Sequence, residues 1–457
     1  MGDAYDVAVI GAGTGGYSAA LRAAQLGKRV ALIERDERLG GTCLLRGCIP
    51  TKALLRSAEV LDTVRRAEEW GIRASGEPDR EAIAAFRDRI VDKLVTGLTG
   101  LIRHRGIEVV RGTARLLPGP AVEVDGRRLE AADVVVATGS RPKLLPGVER
   151  SERVVTSDEA LALPFLPGSA VVIGAGAVGL EFASFYRSLG AEVTLLEALP
   201  RIAPLEDPDV SKELARAFRR RGIRAHAGAR VEAIVDHGDR VEVTFDAGGV
   251  ATVSADLCLV AVGRAPVTED LGLEAVGVEL DRGFVKVDGQ LQTTAPHVWA
   301  VGDVAATPLQ LAHVAFAEGI AVAERIAGLA VPEIDYAGIP RVTYCSPEVA
   351  SVGLTEEQAR ERGHDVEVEV LDLRGIGKAN IVGEGGIVKL VAAAGGPVLG
   401  VHLVGPHVTD LISEGMLITN WEAAPAEVAA LIHPHPSLSE AIGEAHLALA
   451  GKPLHTP

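Results

Sequence analysis

Cys43 and Cys48 stand five residues apart in GGTCLLRGCIPTK, and Lys52 follows four residues later. Two close thiols can interconvert between dithiol and disulfide, and it is the thiolate that carries out the exchange. Upstream, Gly11, Gly13 and Gly16 form a GxGxxG pattern between an apolar strand and a helix-period segment. The first glycine permits a tight turn, the second lets backbone approach a pyrophosphate, and the third lets helix and strand pack closely. The helix N-terminus then faces the phosphates. Glu34 closes the next strand, 23 residues after Gly11, and can accept hydrogen bonds from ribose hydroxyls. A dithiol beside a bound dinucleotide points to electron transfer between the two.

The spacing of the cysteines carries a geometric demand. On a regular α-helix, residues five apart rise about 7.5 Å. A disulfide wants its Cα atoms within about 4.4–6.8 Å. A bridge therefore requires a distorted first turn, with which Gly47 and Pro50 are compatible. Thr42 and the glycines before it suit a helix start, where the dipole lowers a thiol's pKa. Two other readings stay open on these residues alone. A zinc site would need two more ligands, and no CxxC or CxxH pair supplies them. Two buried thiols without chemistry are the third reading. Cys258, on an apolar strand, reads as a core thiol, and Cys345 in TYCSPE shows no evident partner.

Near the C-terminus, HPHPSLSE runs from His433 to Glu440. Thiol–disulfide exchange needs a base to make thiolate and an acid to return the proton, and histidine does both at neutral pH. Ser437-x-x-Glu440 also reads as a capping box opening a helix, and spacing alone weighs cap and catalysis evenly. His433 reads as structural.

The elements that must position these groups repeat. Residues 7–36 and 171–199 each give a strand, a glycine turn, a helix and a strand ending in an acid. The second copy carries Gly174, Gly176 and Gly179, with Glu197 again 23 residues after its first glycine. Two copies imply two dinucleotides, and a carboxylate at Glu197 favours NAD over NADP. The alternative for Glu197 is a solvated strand end. Three further strands run into glycine turns at 133–142, 257–266 and 298–304, residues 50–105 are mostly helical in pattern, and 386–404 reads as a hairpin. Helices are expected at about 408–421 and 425–432. The boundaries fall near Pro142, Gly263 and Ile334. They give an α/β chain with dinucleotide-binding parts 1–142 and 264–334, a second nucleotide domain 143–263, and an α+β domain 335–457.

With 457 residues the chain is long enough for about three domains. A net charge of −16 argues against nucleic acid or an anionic membrane as the main partner. No apolar run reaches the ~18 residues of a membrane span. The first strand begins within a few residues of Met1, so no leader peptide is expected and the chain reads as cytoplasmic.

GGTCLLRGCIPTKALL resembles the redox-active disulfide segment of the pyridine nucleotide–disulfide oxidoreductases, and the likeness extends from the first fingerprint to GKPLH at the end. The resemblance implies two Rossmann-like domains plus a C-terminal dimerisation domain. It implies a Cys43–Cys48 disulfide, with Cys48 nearest a flavin and Cys43 exchanging with substrate. Lys52 would lie beside the flavin, with Glu181 as its partner near the nicotinamide. His435 would act as base, oriented by Glu440 and supplied by the second subunit of a homodimer. FAD would fall to Gly11, Gly13, Thr14, Gly15, Gly16 and Glu34, then to Gly41, Thr42, Lys52 and Ala114. Thr138, Gly139, Ser140 and Asp303 would complete its site, covered by Gln310, Leu311, Ala312 and His313. NAD would fall to Gly174, Gly176, Ala177, Val178, Gly179, Glu181 and Glu197, with Val231 and Gly263. No metal is implied. The expected activity is oxidation of a small dithiol, dihydrolipoamide, by NAD through FAD, in the service of the lipoyl domains of a multienzyme complex. The alternatives are another NAD(P)H-dependent disulfide reductase of the family, or a docking or redox-sensing flavoprotein. Two departures stand out: Leu45 and Arg46 between the cysteines, where the family carries a polar or small pair, and Pro434 between the histidines in place of alanine.

Overall fold

The apolar run Ala4–Ile10 is buried over most of its length and pairs in parallel with Val30–Glu34 on one side and Arg127–Val136 on the other. A strand covered on both faces must be apolar nearly throughout, which is why residues 7–10, 30–33 and 134–136 read as continuous hydrophobic runs, whereas the first half of Arg127–Val136 alternates. The computed structural model describes residues 4–455. It divides the chain into two compact units. One comprises the chain up to Leu54, Asp79–Lys143 and Arg264–Tyr336; the other comprises Leu55–Pro78, Leu144–Gly263 and the chain from Ala337 onward. Among the described residues, no helix is long and apolar enough to cross a membrane.

In the first unit, strands Glu108–Arg111, Val30–Glu34, Ala4–Ile10 and Arg127–Val136 lie side by side in that order, and Val298–Ala300 adds in parallel to the last. Short strands Ala114–Leu117 and Ala121–Val124 extend the sheet as an antiparallel meander. The fingerprint helix Thr14–Gln25 packs against helix Ala312–Ile326, where a Cβ on Gly319 would come 2.3 Å from the Gly15 carbonyl oxygen. Tyr17 meets Phe316 edge-on at 5.6 Å, and Arg22 pairs with Glu324 at 2.6 Å.

The second unit repeats the arrangement. Ile223–Ala227, Glu192–Glu197, Ser169–Ile173, Leu257–Val260 and Val154–Val155 form a parallel sheet, with helix Ala177–Ser188 following the second glycine turn. A separate antiparallel sheet spans Arg230–Asp236, Val241–Asp246 and Val250–Ala255. After Ala337 comes a five-stranded antiparallel sheet that contains the expected hairpin, Ile387–Ala393 with Val398–Gly405. Helices Val408–Asn420 and Glu440–Leu449 close its core through Val408, Ile412, Ala441 and Ile442. The helix expected to reach 432 spans only Pro425–Ala429, and Leu431 and Ile432 beyond it are exposed.

A buried ion cluster ties the nucleotide part of this unit to its C-terminal sheet. Lys389, 1% exposed on a central strand, reaches Asp207 at 2.9 Å, Asp209 at 2.7 Å and Glu356 at 2.9 Å. Burial alone would raise the Asp207 carboxyl, but Lys389 and the Asp209 amide outweigh it and hold it below the ordinary carboxylate range. Lys389→Met is expected to cost about 3–5 kcal/mol, because it leaves buried carboxylates uncompensated. Since Asp207's folded value is depressed, its contribution is present above its unfolded pKa of about 3.9 and is lost as pH falls through the folded value. Urea titrations from pH 2 to 7 should therefore show the wild type losing stability below about pH 4, and the Lys389→Met variant, already weaker at neutral pH, losing less over that acid range. Wild-type stability in that variant would overturn the assignment.

Candidate active site

The two glycine turns match in their chemistry residue for residue. Gly11 has φ +101° and Gly174 φ +99°, and a Cβ on either would sit 2.4 Å from a carbonyl oxygen, that of Ala137 or of Ala261. Only glycine fits there. At the second glycines the reason differs. A Cβ on Gly176 meets nothing within 4 Å, and one on Gly13 meets only the Gly41 Cα at 3.9 Å. The protein's own packing does not demand glycine at these positions, whereas a pyrophosphate drawn up against the backbone would. Both helices start at that glycine with no side-chain cap, which leaves amide donors for an anion. These observations fit a dinucleotide at each turn.

Glu34 and Glu197 behave alike as well. Glu34 accepts from the Ala12 amide at 2.8 Å and the Asp36 amide at 2.9 Å. Glu197 accepts from the Ala175 amide at 2.6 Å and the Leu199 amide at 2.8 Å. Both are buried, so Glu197 is not a solvated strand end. An ionised carboxylate offers about four lone-pair sites. After two backbone bonds, acceptor capacity remains for ribose hydroxyls.

The demand for a distorted turn at the cysteines is met. Thr42–Arg46 forms one π-helical turn, and helix Cys48–Arg65 begins directly after Gly47. A π turn closes hydrogen bonds five residues apart, the same interval as the two cysteines. A Cβ on Gly47 would lie 3.1 Å from the Thr42 carbonyl oxygen. The two cysteine side chains lie within hydrogen-bonding reach of each other. That contact, burial and the charge of Cys48 push the Cys43 thiol up, against the pull of Lys52. Among the described residues, no group of three or more His, Cys, Asp or Glu side chains is placed to hold a metal ion. Arg46 forms an ion pair with Asp36 at 2.8 Å, so its charge is shared at the end of the Glu34 strand.

Around this turn, Ser140 donates to Asp303 at 2.5 Å, and Arg264 donates to the Ser140 hydroxyl at 2.7 Å and its carbonyl at 2.8 Å. Arg264 also reaches Thr42 at 3.5 Å. The Thr138 hydroxyl donates to the Val267 carbonyl at 2.6 Å, and the Val267 amide donates to the Gly139 carbonyl. The buried Glu318 accepts from the Gly302 amide at 2.6 Å and Tyr336 at 2.9 Å, fixing the turn that presents Asp303. Gln310, Leu311, Ala312 and His313 form the start of helix Ala312–Ile326. Gln310 donates to the Asp303 carbonyl at 3.4 Å. Ala114 is buried in the core of this unit. Arg264 and Glu318 escaped the sequence reading. The signal for Arg264 was a charge directly after a glycine that ends an apolar strand; Glu318 gave none.

In the second unit, Glu181 is buried on the fingerprint helix and accepts from the Tyr344 amide at 3.0 Å. Ala177 and Val178 open that helix, Val231 packs into the adjoining core, and Gly263 takes φ +111° after the last parallel strand. His435 Nδ1 lies 2.7 Å from Glu440 Oε1, and the other Glu440 oxygen accepts from the Ser437 amide at 2.7 Å. Glu440 opens helix Glu440–Leu449 behind the N-cap Ser439, so the expected Ser437 capping box does not form; one Glu440 oxygen accepts from a backbone amide and the other orients the histidine. Burial alone would raise its carboxyl, but the Ser437 amide and His435 outweigh it and hold it low. His433 is largely buried against Glu414 at 2.7 Å, whereas the His435 side chain is 77% exposed. Cys258 is wholly buried, its thiol pushed up to about 12 by that burial.

Residues 5–319 match the pyridine nucleotide-disulphide oxidoreductase family, and residues 339–446 match the dimerisation domain of the same family. The dihydrolipoyl dehydrogenase of Bacillus subtilis is 43% identical with all of both chains covered. Dihydrolipoyl dehydrogenase 3 of Pseudomonas aeruginosa is 44% identical with 99% of each covered. Among solved structures, LpdA from Mycobacterium tuberculosis matches with a TM-score of 0.90 and 29% identity, covering 98% of this chain and 99% of that one. The HOCl-induced flavoprotein disulfide reductase RclA from Escherichia coli matches at 0.87 and 29%, covering 97% and 99%. The family's enzymes use FAD and NAD, which the two glycine turns of this chain fit. With a matched family region covering most of its length, paired fingerprints and a dithiol turn beside the first of them, the chain belongs to the pyridine nucleotide–disulfide oxidoreductases.

Proposed function

We propose that the enzyme is a dihydrolipoyl dehydrogenase, oxidising dihydrolipoamide to lipoamide as NAD⁺ becomes NADH and H⁺. The observation that carries this reading is the pairing, within one chain, of a π-turn dithiol with a His435–Glu440 dyad at 2.7 Å. The first fingerprint, the Thr42–Lys52 segment, Thr138–Ser140, Asp303 and the 310–313 helix start hold FAD. The second fingerprint, Glu181 and Glu197 hold NAD. Domains run 1–142 with 264–334 for FAD, 143–263 for NAD and 335–457 for dimerisation. Bound FAD supplies a two-electron relay between the dithiol and the pyridine nucleotide.

The protein's own steps begin from the Cys43–Cys48 disulfide. His435 takes a proton from one substrate thiol, and the thiolate attacks the Cys43 sulfur. The Cys43–Cys48 bond breaks as the Cys43–substrate bond forms, leaving Cys48 as thiolate beside Lys52. The second substrate thiol then displaces Cys43, with the proton moving through His435, and lipoamide departs. Glu440 holds the imidazole in place throughout. The substrate dithiol is thereby oxidised and the cysteine pair reduced, and two electrons pass on to NAD⁺. In a multienzyme complex the dithiol is presented by a lipoyl domain of another chain.

The decisive assay compares dihydrolipoamide with NAD⁺ against glutathione disulfide and Hg²⁺ with NADPH. Rapid NADH formation from dihydrolipoamide supports the reading; preferential reduction of either alternative oxidant overturns it. Nucleotide choice is a separate prediction. A 2′-phosphate would face the buried Glu197 carboxylate, and like charges so placed cost several kcal/mol. NADH should exceed NADPH in kcat/KM by on the order of a hundredfold or more. Glu197→Gln should narrow the gap, and equal values in the wild type would remove Glu197 as its cause.

A further inference from the structure

Glu181, Ser184 and Ser188 are spaced three and four apart on helix Ala177–Ser188, so they share one face. All three are buried, at 4%, 2% and 3% exposure. That face is occupied by the segment Tyr344–Ser346 and by the guanidinium of Arg221. Arg221 Nη1 donates to the Ser184 hydroxyl at 2.6 Å and to the Ser346 carbonyl at 2.8 Å. Its Nη2 donates to the Ser188 hydroxyl at 2.7 Å and to Asp62 at 3.0 Å. The Ser346 amide donates back to the Ser184 hydroxyl at 2.9 Å, and Ser188 donates to Asp62 at 2.6 Å. Two residues before Ser346, the Tyr344 amide donates to Glu181 Oε1 at 3.0 Å. Cys345 is buried between them, near both Glu181 and Arg221.

We infer that Arg221 is a positioning residue for Glu181, acting through the 344–346 segment. Its planar fork makes four donations in fixed directions, which a point-charge ammonium cannot reproduce. By pinning the Ser346 carbonyl to the helix, Arg221 sets where the Tyr344 amide stands, and that amide orients the Glu181 carboxylate. The inference rests on the reading that Glu181 lies at the nicotinamide. The other end of the Asp62 helix carries Cys48. None of the four acceptors of Arg221 belongs to the dithiol segment, which makes the dithiol half-reaction the internal control.

The test is single-turnover reduction of the bound FAD by NADH in the holoenzyme, alongside reduction of the same FAD by dihydrolipoamide without nucleotide. In Arg221→Met the NADH reaction should slow by about ten- to a hundredfold, the scale of a misplaced group. The dihydrolipoamide reaction should stay within about twofold, and Arg221→Lys should recover only part of the loss. Ser184→Ala, a smaller change to the same cluster, should slow the NADH reaction in the same direction and keeps the test alive should Arg221→Met fold poorly. Equal slowing of both half-reactions would make Arg221 a general structural residue and overturn the inference. So would wild-type NADH reduction in both well-folded variants. If dihydrolipoamide fails to reduce even the wild-type enzyme, the substrate assignment falls, while the NADH arm, read against the wild type and Glu181→Gln, still decides the role of Arg221.

Discussion

Cys43→Ser is expected to lower kcat with dihydrolipoamide by at least about 10⁴-fold, the scale seen when one member of a catalytic unit is removed. The reason lies in the geometry of the dithiol turn. Cys43 lies in the π turn Thr42–Arg46 and Cys48 opens the helix that follows, a turn that brings residues five apart together, so each sulfur is within reach of the other. Cys258 and Cys345 are both sealed in cores, at 0% and 1% exposure. No other thiol can replace either partner. The two substitutions should nevertheless differ. Cys43→Ser retains Cys48 beside Lys52, so the FAD-loaded protein should show long-wavelength charge-transfer absorbance from the Cys48 thiolate. Cys48→Ser should lose both turnover and that absorbance. Stopped-flow spectra of the two variants check both statements. Dihydrolipoamide turnover surviving in Cys48→Ser would refute the exchange scheme.

The parts of this site that were legible in the sequence are those set by local backbone chemistry. Gly11 and Gly174 could be read because a positive φ beside a carbonyl oxygen admits no side chain, and Glu34 and Glu197 because they repeat at one offset. The distorted turn between Cys43 and Cys48 followed from helix rise against disulfide reach. Local chemistry gives no such signal where partners are distant in sequence. Lys389 meets Asp207 across 182 residues, and Arg221 meets Asp62 across 159. Neither pair leaves a periodicity or a motif. The strands at 114–124, four residues each, and those at 230–255, mixed in exposure, were likewise missed. Glu440 shows a subtler case. Its spacing from Ser437 argued equally for a cap and for an orienter; the helix is capped at Ser439 instead, and Glu440 gives one oxygen to the Ser437 amide and the other to His435.

Activity is expected to return when two inactive variants, Cys43→Ser and His435→Ala, are mixed and allowed to exchange subunits. His435 belongs to a different compact unit from Cys43 and lies in the region that matches the family's dimerisation domain. Its side chain is 77% exposed although its partner Glu440 holds it at 2.7 Å, so the dyad is preorganised but faces outward. Close by in sequence, Ile432 is 98% exposed and Leu431 65%. Large apolar side chains left so bare mark a surface that is covered in the working enzyme, and an isologous contact with a second copy would cover both at once. A histidine on that surface would then serve the cysteine pair of its partner. In a Cys43→Ser/His435→Ala heterodimer, one site combines both lesions and the other has neither. Random reassortment of an equal mixture makes about half the dimers heterodimers, so roughly a quarter of wild-type activity should appear. The readout is dihydrolipoamide-dependent NADH formation before and after exchange, with heterodimer content followed by differently tagged chains. Heterodimers that form in the expected proportion yet remain inactive would place the base and its cysteine pair in the same chain.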